Sequence, residues 1–204
     1  MHARAPLRRD TARTRDRLLD AAGELLAGRG TEFSLPDLAR ASGVATATVY
    51  RHFASVHDVH REFYHRMVDE LVAELEDISD RHHGVERLRL IGERWVALAV
   101  HWGRAATHIR RPEGFLERVR AGDPPTSALY HGLAPTVTEL VAQRIIPDQD
   151  IDYAILLWIT LFDERVIADL TAVPGWTARR IARTLTTSLL GAWQGAADDA
   201  PPPP

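Results

Sequence analysis

Ser34-Leu-Pro-Asp-Leu-Ala-Arg-Ala-Ser-Gly-Val-Ala-Thr-Ala-Thr-Val-Tyr-Arg-His-Phe53 decides the fold of this 204-residue chain. The run reads as two short helices joined by a tight corner. A close helix crossing needs a small residue at the corner, here Ala39, and the corner itself needs a residue that tolerates positive φ, here Gly43. The second helix, about residues 46–52, has an apolar inner side formed by Val44, Val49 and Phe53. Its outer side carries Thr46, Ala47, Thr48, Tyr50, Arg51 and His52. Small hydroxyls, one aromatic ring and two basic side chains are what a helix needs to meet base edges and phosphates in a major groove. Thr46, Ala47 and Tyr50 are expected at base edges. Thr48, Tyr50, Arg51 and His52 are expected at phosphates, with a guanine edge as the alternative for Arg51. Ser34 is expected to cap the first helix and to meet a phosphate through its hydroxyl and the free amides.

The ungapped series Ser34, Asp37, Leu38, Ala39, Gly43, Val44, Thr48, Val49, Tyr50, His52, Phe53, Ser55 and Val59 resembles the amino-terminal domain of the TetR family of bacterial repressors. The resemblance holds at motif level over about residues 12–70; beyond that it extends only to length and helical texture. It implies DNA contacts at the matching positions Thr48, Tyr50 and His52. The chain departs from the family pattern at three places. Ala45 replaces the Ser that opens the recognition helix, so Thr46 would cap it one residue later. Ala47 replaces a Gly that faces DNA. Val56 replaces a Lys that contacts phosphate in relatives, leaving His57 or the arginines upstream to take that role.

Charge is distributed unevenly along the chain. The formal net charge is −3, and all 25 basic residues are arginine, a pattern best explained by the codon bias of a GC-rich bacterium. Residues 1–17 hold six arginines against two aspartates, whereas residues 61–204 hold 16 arginines against 21 acids. A basic head on an acidic body fits a DNA binder, because steering depends on the local face. Arg8, Arg9, Arg13 and Arg15 fit a solvated tail and a phosphate- or minor-groove-binding arm equally well. The start of the chain has no apolar segment of a secretory signal, and no 18-residue apolar run crosses a membrane. The absence of cysteine excludes disulfides and thiolate zinc sites and suits a reducing cytoplasm.

Helical spacing recurs from end to end, and no strand-like alternation appears. The fold expected is all-α, with about nine helices: a three-helix DNA-binding head and a helical ligand-binding and dimerisation body. Residues 1–11 read as a basic flexible leader, 12–60 as the head, 61–195 as the body and 196–204 as a disordered Pro-rich tail. Helices are expected at 14–28, 55–80, 85–109, 114–120, 126–146, 150–172 and 177–193. Pro135 should kink or interrupt its helix. Residues 150–172 are apolar on every side around Trp158, as for a helix buried against partners all round. That segment and the last helix are the expected homodimer interface.

Trp95, His101, Trp102 and His108 share one expected helix. With Phe115, Tyr130, Trp158, Phe162 and Asp163 they make a candidate apolar pocket with a few polar anchors, suited to an apolar or aromatic effector. The same aromatics also fit an ordinary core. Asp163-Glu-Arg165 interrupts the buried run and should face water, a pocket or a partner. No cofactor motif, phosphate loop or Gly-x-Ser-x-Gly is present, and no enzyme chemistry or metal site is expected. The function these features imply is a one-component transcriptional regulator, a repressor that binds a palindromic operator as a homodimer and is released by a small-molecule effector. Two rivals remain: a helical metal enzyme using His101, His108 and Asp163, and a regulator controlled by a protein partner.

Overall fold

The computed structural model describes residues 5–108 and 113–195. Among them the chain is helical throughout, with nine helices of seven residues or more and two shorter ones. It divides into two compact units, one of residues 1–67 with 102–110, the other of residues 68–101 with 111–204.

The first unit opens with α1 (Ala5–Arg29). The helix runs through residues 5–11, where the sequence reading placed a flexible leader. Ala, Leu and Arg are good helix formers, and Pro6 falls in the first turn, where its missing N–H costs nothing. Residues 1–4 of that leader lie outside the described residues. Gly30, at φ 65°, ends α1 and donates to the Leu26 carbonyl at 2.9 Å. Gly23 sits in mid-helix because a Cβ there would lie 2.9 Å from the Phe63 ring. Phe63 belongs to α4 (Val56–Ser79), whose first half lies in this unit.

Between α1 and α4 come α2 (Leu35–Ser42) and α3 (Thr46–His52). Gly43 turns the corner at φ 65° and ψ 24°, and its N–H is donated to the Ala39 carbonyl. Leu18, Leu26, Leu38, Val49, Phe53 and Val59 fill the centre. Trp102 and Ala105 pack on the same centre, Ala105 from the one-turn α6 (Arg104–Thr107). Sequence reading assigned residues 102–108 to the body, on one helix from 85 to 109. That helix, α5 (Gly84–Trp102), stops at Gly103, whose φ of 52° breaks the run.

The second unit contains the rest of α4 and α5, then α7 (Phe115–Arg120), α8 (Pro124–Ala142), α9 (Ile151–Leu161), α10 (Glu164–Ala172) and α11 (Ala178–Gly195). The single helix expected over 150–172 is two helices. Phe162 ends α9, and Asp163 caps α10 by accepting the Arg165 N–H at 2.9 Å. A buried charge in mid-helix would be costly, and a cap satisfies it at the surface instead. α8 continues through Pro135, which has no N–H to give the His131 carbonyl one turn back. The expected disordered tail, 196–204, lies outside the described residues.

Candidate DNA-binding face and the interior of the body

The outward face of the first unit is built by two helix starts and one short helix. Ser34 and Asp37 form a reciprocal capping box at the start of α2: the Asp37 N–H donates to Ser34 Oγ at 3.2 Å, and the Ser34 N–H donates to the carboxylate at 3.0 Å. The Ser34 hydroxyl also donates to that carboxylate at 2.6 Å. These bonds to Ser34, followed by the charges of Arg40 and Arg29, hold the Asp37 carboxyl below its ordinary value. Ser34 is therefore engaged as the cap of α2.

α3 starts without a side-chain cap, on Ala45, and Thr46 is its first helical residue. The shift of the cap to Thr46 does not occur, because the Ala45 carbonyl already accepts the N–H groups of Thr48 at 2.8 Å and Val49 at 3.2 Å. Val49 is the residue α3 buries, and Phe53, 2% exposed, follows it into the core. Thr46, Ala47, Tyr50 and Arg51 are exposed, with Thr48 and His52 half-buried. Tyr50 is 55% exposed, so its ring and hydroxyl are available outside the core. Arg51 donates through Nη2 to the Thr48 hydroxyl at 2.7 Å. Partial burial, then the charges of Arg15 and Arg51, lowers the basicity of His52 below that of an ordinary imidazole.

Val56 packs against the head core, and Ser55 caps α4 with Asp58. The position where relatives carry Lys thus contributes no cation. Basic side chains come instead from α1: Arg15 pairs with Glu62, and Arg17 donates to the Ser42 carbonyl at 2.9 Å beside the Gly43 corner.

The candidate ligand residues separate between the two units. Trp102 and His108 belong to the head unit. In the body, Trp95, Phe162 and Trp158 are buried ring against ring, with centroids 5.6 and 6.5 Å apart along the series. Trp193, absent from the sequence-derived site, continues the series 5.5 Å from Trp158 and donates its Nε1–H to the Ala154 carbonyl at 3.2 Å. Its spacing of four from Leu189 on an apolar stripe was the available signal. The buried Trp158 Nε1 and Thr186 Oγ1 have no hydrogen-bond partner among the described residues. Tyr130 donates to Asp152 at 2.7 Å, and chiefly for that reason its hydroxyl pKa is pushed up to about 12. Phe115 is half-buried on α7, His101 is exposed at the end of α5, and Asp163 pairs with Arg165 at 3.0 Å. Grooves of about 290 and 540 Å³ lie elsewhere on the body and share His131 and Pro135 as lining. No three His, Asp or Glu side chains gather at metal-binding spacing among the described residues. Nor is any described helix long and apolar enough to cross a membrane.

A capped α2, a glycine corner and an α3 with a polar, basic outer face define a helix-turn-helix DNA-binding protein. Residues 18–58 match the family model of bacterial regulatory proteins, tetR family. The match lies in the first unit and covers α2, α3 and the adjoining parts of α1 and α4. No curated protein sequence matches it significantly. Its fold is similar to solved regulators. For the fatty acid degradation regulator FadR of Bacillus halodurans the TM-score is 0.71 at 18% identity, covering 86% of this chain and 97% of that one. FadR of Bacillus subtilis, solved in complex with stearoyl-CoA, gives 0.70 at 20% identity over 85% and 96%. The ketosteroid regulator KstR2 of Mycobacterium tuberculosis gives 0.61 at 20% identity over 87% and 93%.

Proposed function

We propose that this protein is a TetR-family transcriptional regulator, a cytoplasmic repressor that binds a near-palindromic operator as a homodimer and leaves it when a small apolar or aromatic effector binds the body. The observation that carries the reading is α3, which buries Val49 and turns Tyr50, Arg51, Thr46 and Ala47 outward. Tyr50 with Thr46 and Ala47 reads base edges, while Thr48 and His52 bind phosphates and set register. Ser34 orders the start of α2 in that contact.

Dimerisation is supported by α11. One face buries Ile181, Leu185, Leu189 and Trp193, and the other exposes the small residues Thr187, Ser188, Gly191 and Ala192. Small side chains let two helices approach closely, and two heads on one operator must sit about one DNA turn apart, roughly 34–36 Å. An effector that favours another spacing lowers DNA affinity by its differential affinity for the two states. The FadR relative with stearoyl-CoA supports an effector with a large apolar part. The aromatic series Trp95, Phe162 and Trp158 is the apolar surface such a molecule would open, with Tyr130 and Phe115 on neighbouring elements.

The test is binding of the purified protein to DNA upstream of its own gene, with light scattering on the same sample. A dimer of about twice 22.8 kDa should protect a near-palindrome, and Tyr50→Ala should weaken that binding by ~1–3 kcal/mol without loss of helicity. A folded wild-type protein with no preference for any sequence would refute the proposal.

A further inference from the structure

The geometry points to Arg51 as the residue that reads a guanine in each operator half-site, with Thr48 as the positioning residue that aims it. The inference rests on the reading of the head as an operator binder and assigns that binder one base.

Arg51 and Thr48 stand three residues apart on α3, so their side chains lie on neighbouring turns of one face. The Arg51 guanidinium donates to Thr48 Oγ1 at 2.7 Å while remaining exposed. A guanidinium carries five N–H donors in a rigid fork. One is spent on the hydroxyl, and the others remain for an acceptor pair such as guanine O6 and N7, the pair a guanidinium matches bidentately in the major groove. A long flexible side chain loses rotamer entropy on binding, and the intrahelical bond withdraws part of that freedom beforehand.

The charge of Arg51 is also left available. Of the two arginines in the helix-turn-helix, Arg40 is tied to the Asp37 carboxylate at 3.1 Å, whereas the bonded partner of Arg51 is a neutral hydroxyl. The Thr48 oxygen accepts from Arg51, so its own O–H is still free in direction to donate to a phosphate. One threonine thereby connects the register set on the backbone to the base read beside it.

The full-length protein is first used to select sites from a randomised duplex library. Binding of wild type, Arg51→Ala, Arg51→Lys, Thr48→Val and Thr48→Ser is then measured on the selected site. The same measurements are made on a duplex whose most strongly selected G·C pair, at symmetric positions, is changed to A·T. Arg51→Ala and Arg51→Lys should each lose about 10- to 100-fold on the selected site and nearly nothing on the altered one. Thr48→Val, which keeps the branched shape, should lose part of the same preference, and Thr48→Ser should regain it. Thermal midpoints should match wild type, since Arg51 is exposed.

If Arg51→Ala weakens all duplexes alike and lowers the salt dependence by about one phosphate contact, Arg51 is a backbone contact and the inference fails. If Thr48→Val keeps the full guanine preference, the positioning role fails. If the wild-type protein selects no site at all, the operator reading itself fails, a result distinct from both.

Discussion

Replacing Gly92 by Ala tests whether the interior of the body is as full as its ring contacts indicate. Gly92 lies in α5, and a Cβ there would overlap Thr186 Oγ1 and come within 3.3 and 3.4 Å of the Phe162 ring. Neither neighbour yields easily. Thr186 is β-branched and buried on α11, and Phe162 is buried between Trp95 and Trp158. Ala in place of Gly within a helix gains ~1 kcal/mol, while overpacking of a dense core costs ~1–3 kcal/mol. With a direct overlap the cost lies at the upper end, so the net destabilisation is about 1–2 kcal/mol. For a chain of this size that lowers the melting midpoint by roughly 2–8 °C. Near-UV circular dichroism is the suitable probe, since Trp95, Trp158 and Trp193 all report on this core.

Thr186→Ala removes the overlapping atom, so the double variant should recover about 1–2 kcal/mol relative to additivity. Gly28→Ala supplies the opposite sign: no atom lies within 4 Å of its Cβ, and it should stabilise α1 by about 0.5–1 kcal/mol. If Gly92→Ala is as harmless as Gly28→Ala, then α5 and α11 do not cross closely. In that case the space beside Phe162 could admit a ligand without rearrangement.

Three further outcomes follow from the head. His52 is held less basic than usual by partial burial, Arg15 and Arg51, and a phosphate would restore its charge. Operator affinity should therefore rise as pH falls from about 7.5 to 6, and His52→Gln should flatten that slope; an unchanged slope would exclude His52 from the phosphate contact. His60 packs edge-on against Phe33, its centroid 5.2 Å away, with Nε2 buried and without a partner among the described residues; burial, then the charge of His57, lowers its pKa. The unfolded chain then binds more protons than the head does. This stability is present above the ordinary imidazole value of about 6.5 and is lost as pH falls below it. Urea midpoints at pH 7.5 and 5.5 should separate less in His60→Gln than in wild type. Ala45→Ser should add the missing cap of α3 and stabilise the head by ~0.5–1 kcal/mol in thermal melts, a gain that Ala45→Val should not reproduce.

The helix-turn-helix was legible in the residues themselves because its determinants are local. Gly43 alone permits the corner, Ser34 and Asp37 cap within three residues, and Val49 with Phe53 follows helical period. Local chemistry also marked the outer face of α3, since no core residue there could be Arg51 or Tyr50. The helical character of the body was legible for the same reason, through Leu88, Ile91 and Trp95 or Ile181, Leu185 and Leu189. What the sequence could not decide was the partner of each apolar stripe. Trp102 and Trp95 share a helix and a residue type, yet one packs on the head core and the other meets Phe162 in the body. Periodicity specifies that a face is buried, not which distant segment covers it. Gly23 and Gly92 lie in mid-helix, where glycine is unfavourable, and only the approach of Phe63 and Thr186 explains them. The break at Phe162–Asp163 depends in the same way on tertiary structure. Hydrophobic burial favours one continuous apolar helix, but the carboxylate is satisfied as a cap on α10, and the chain turns there.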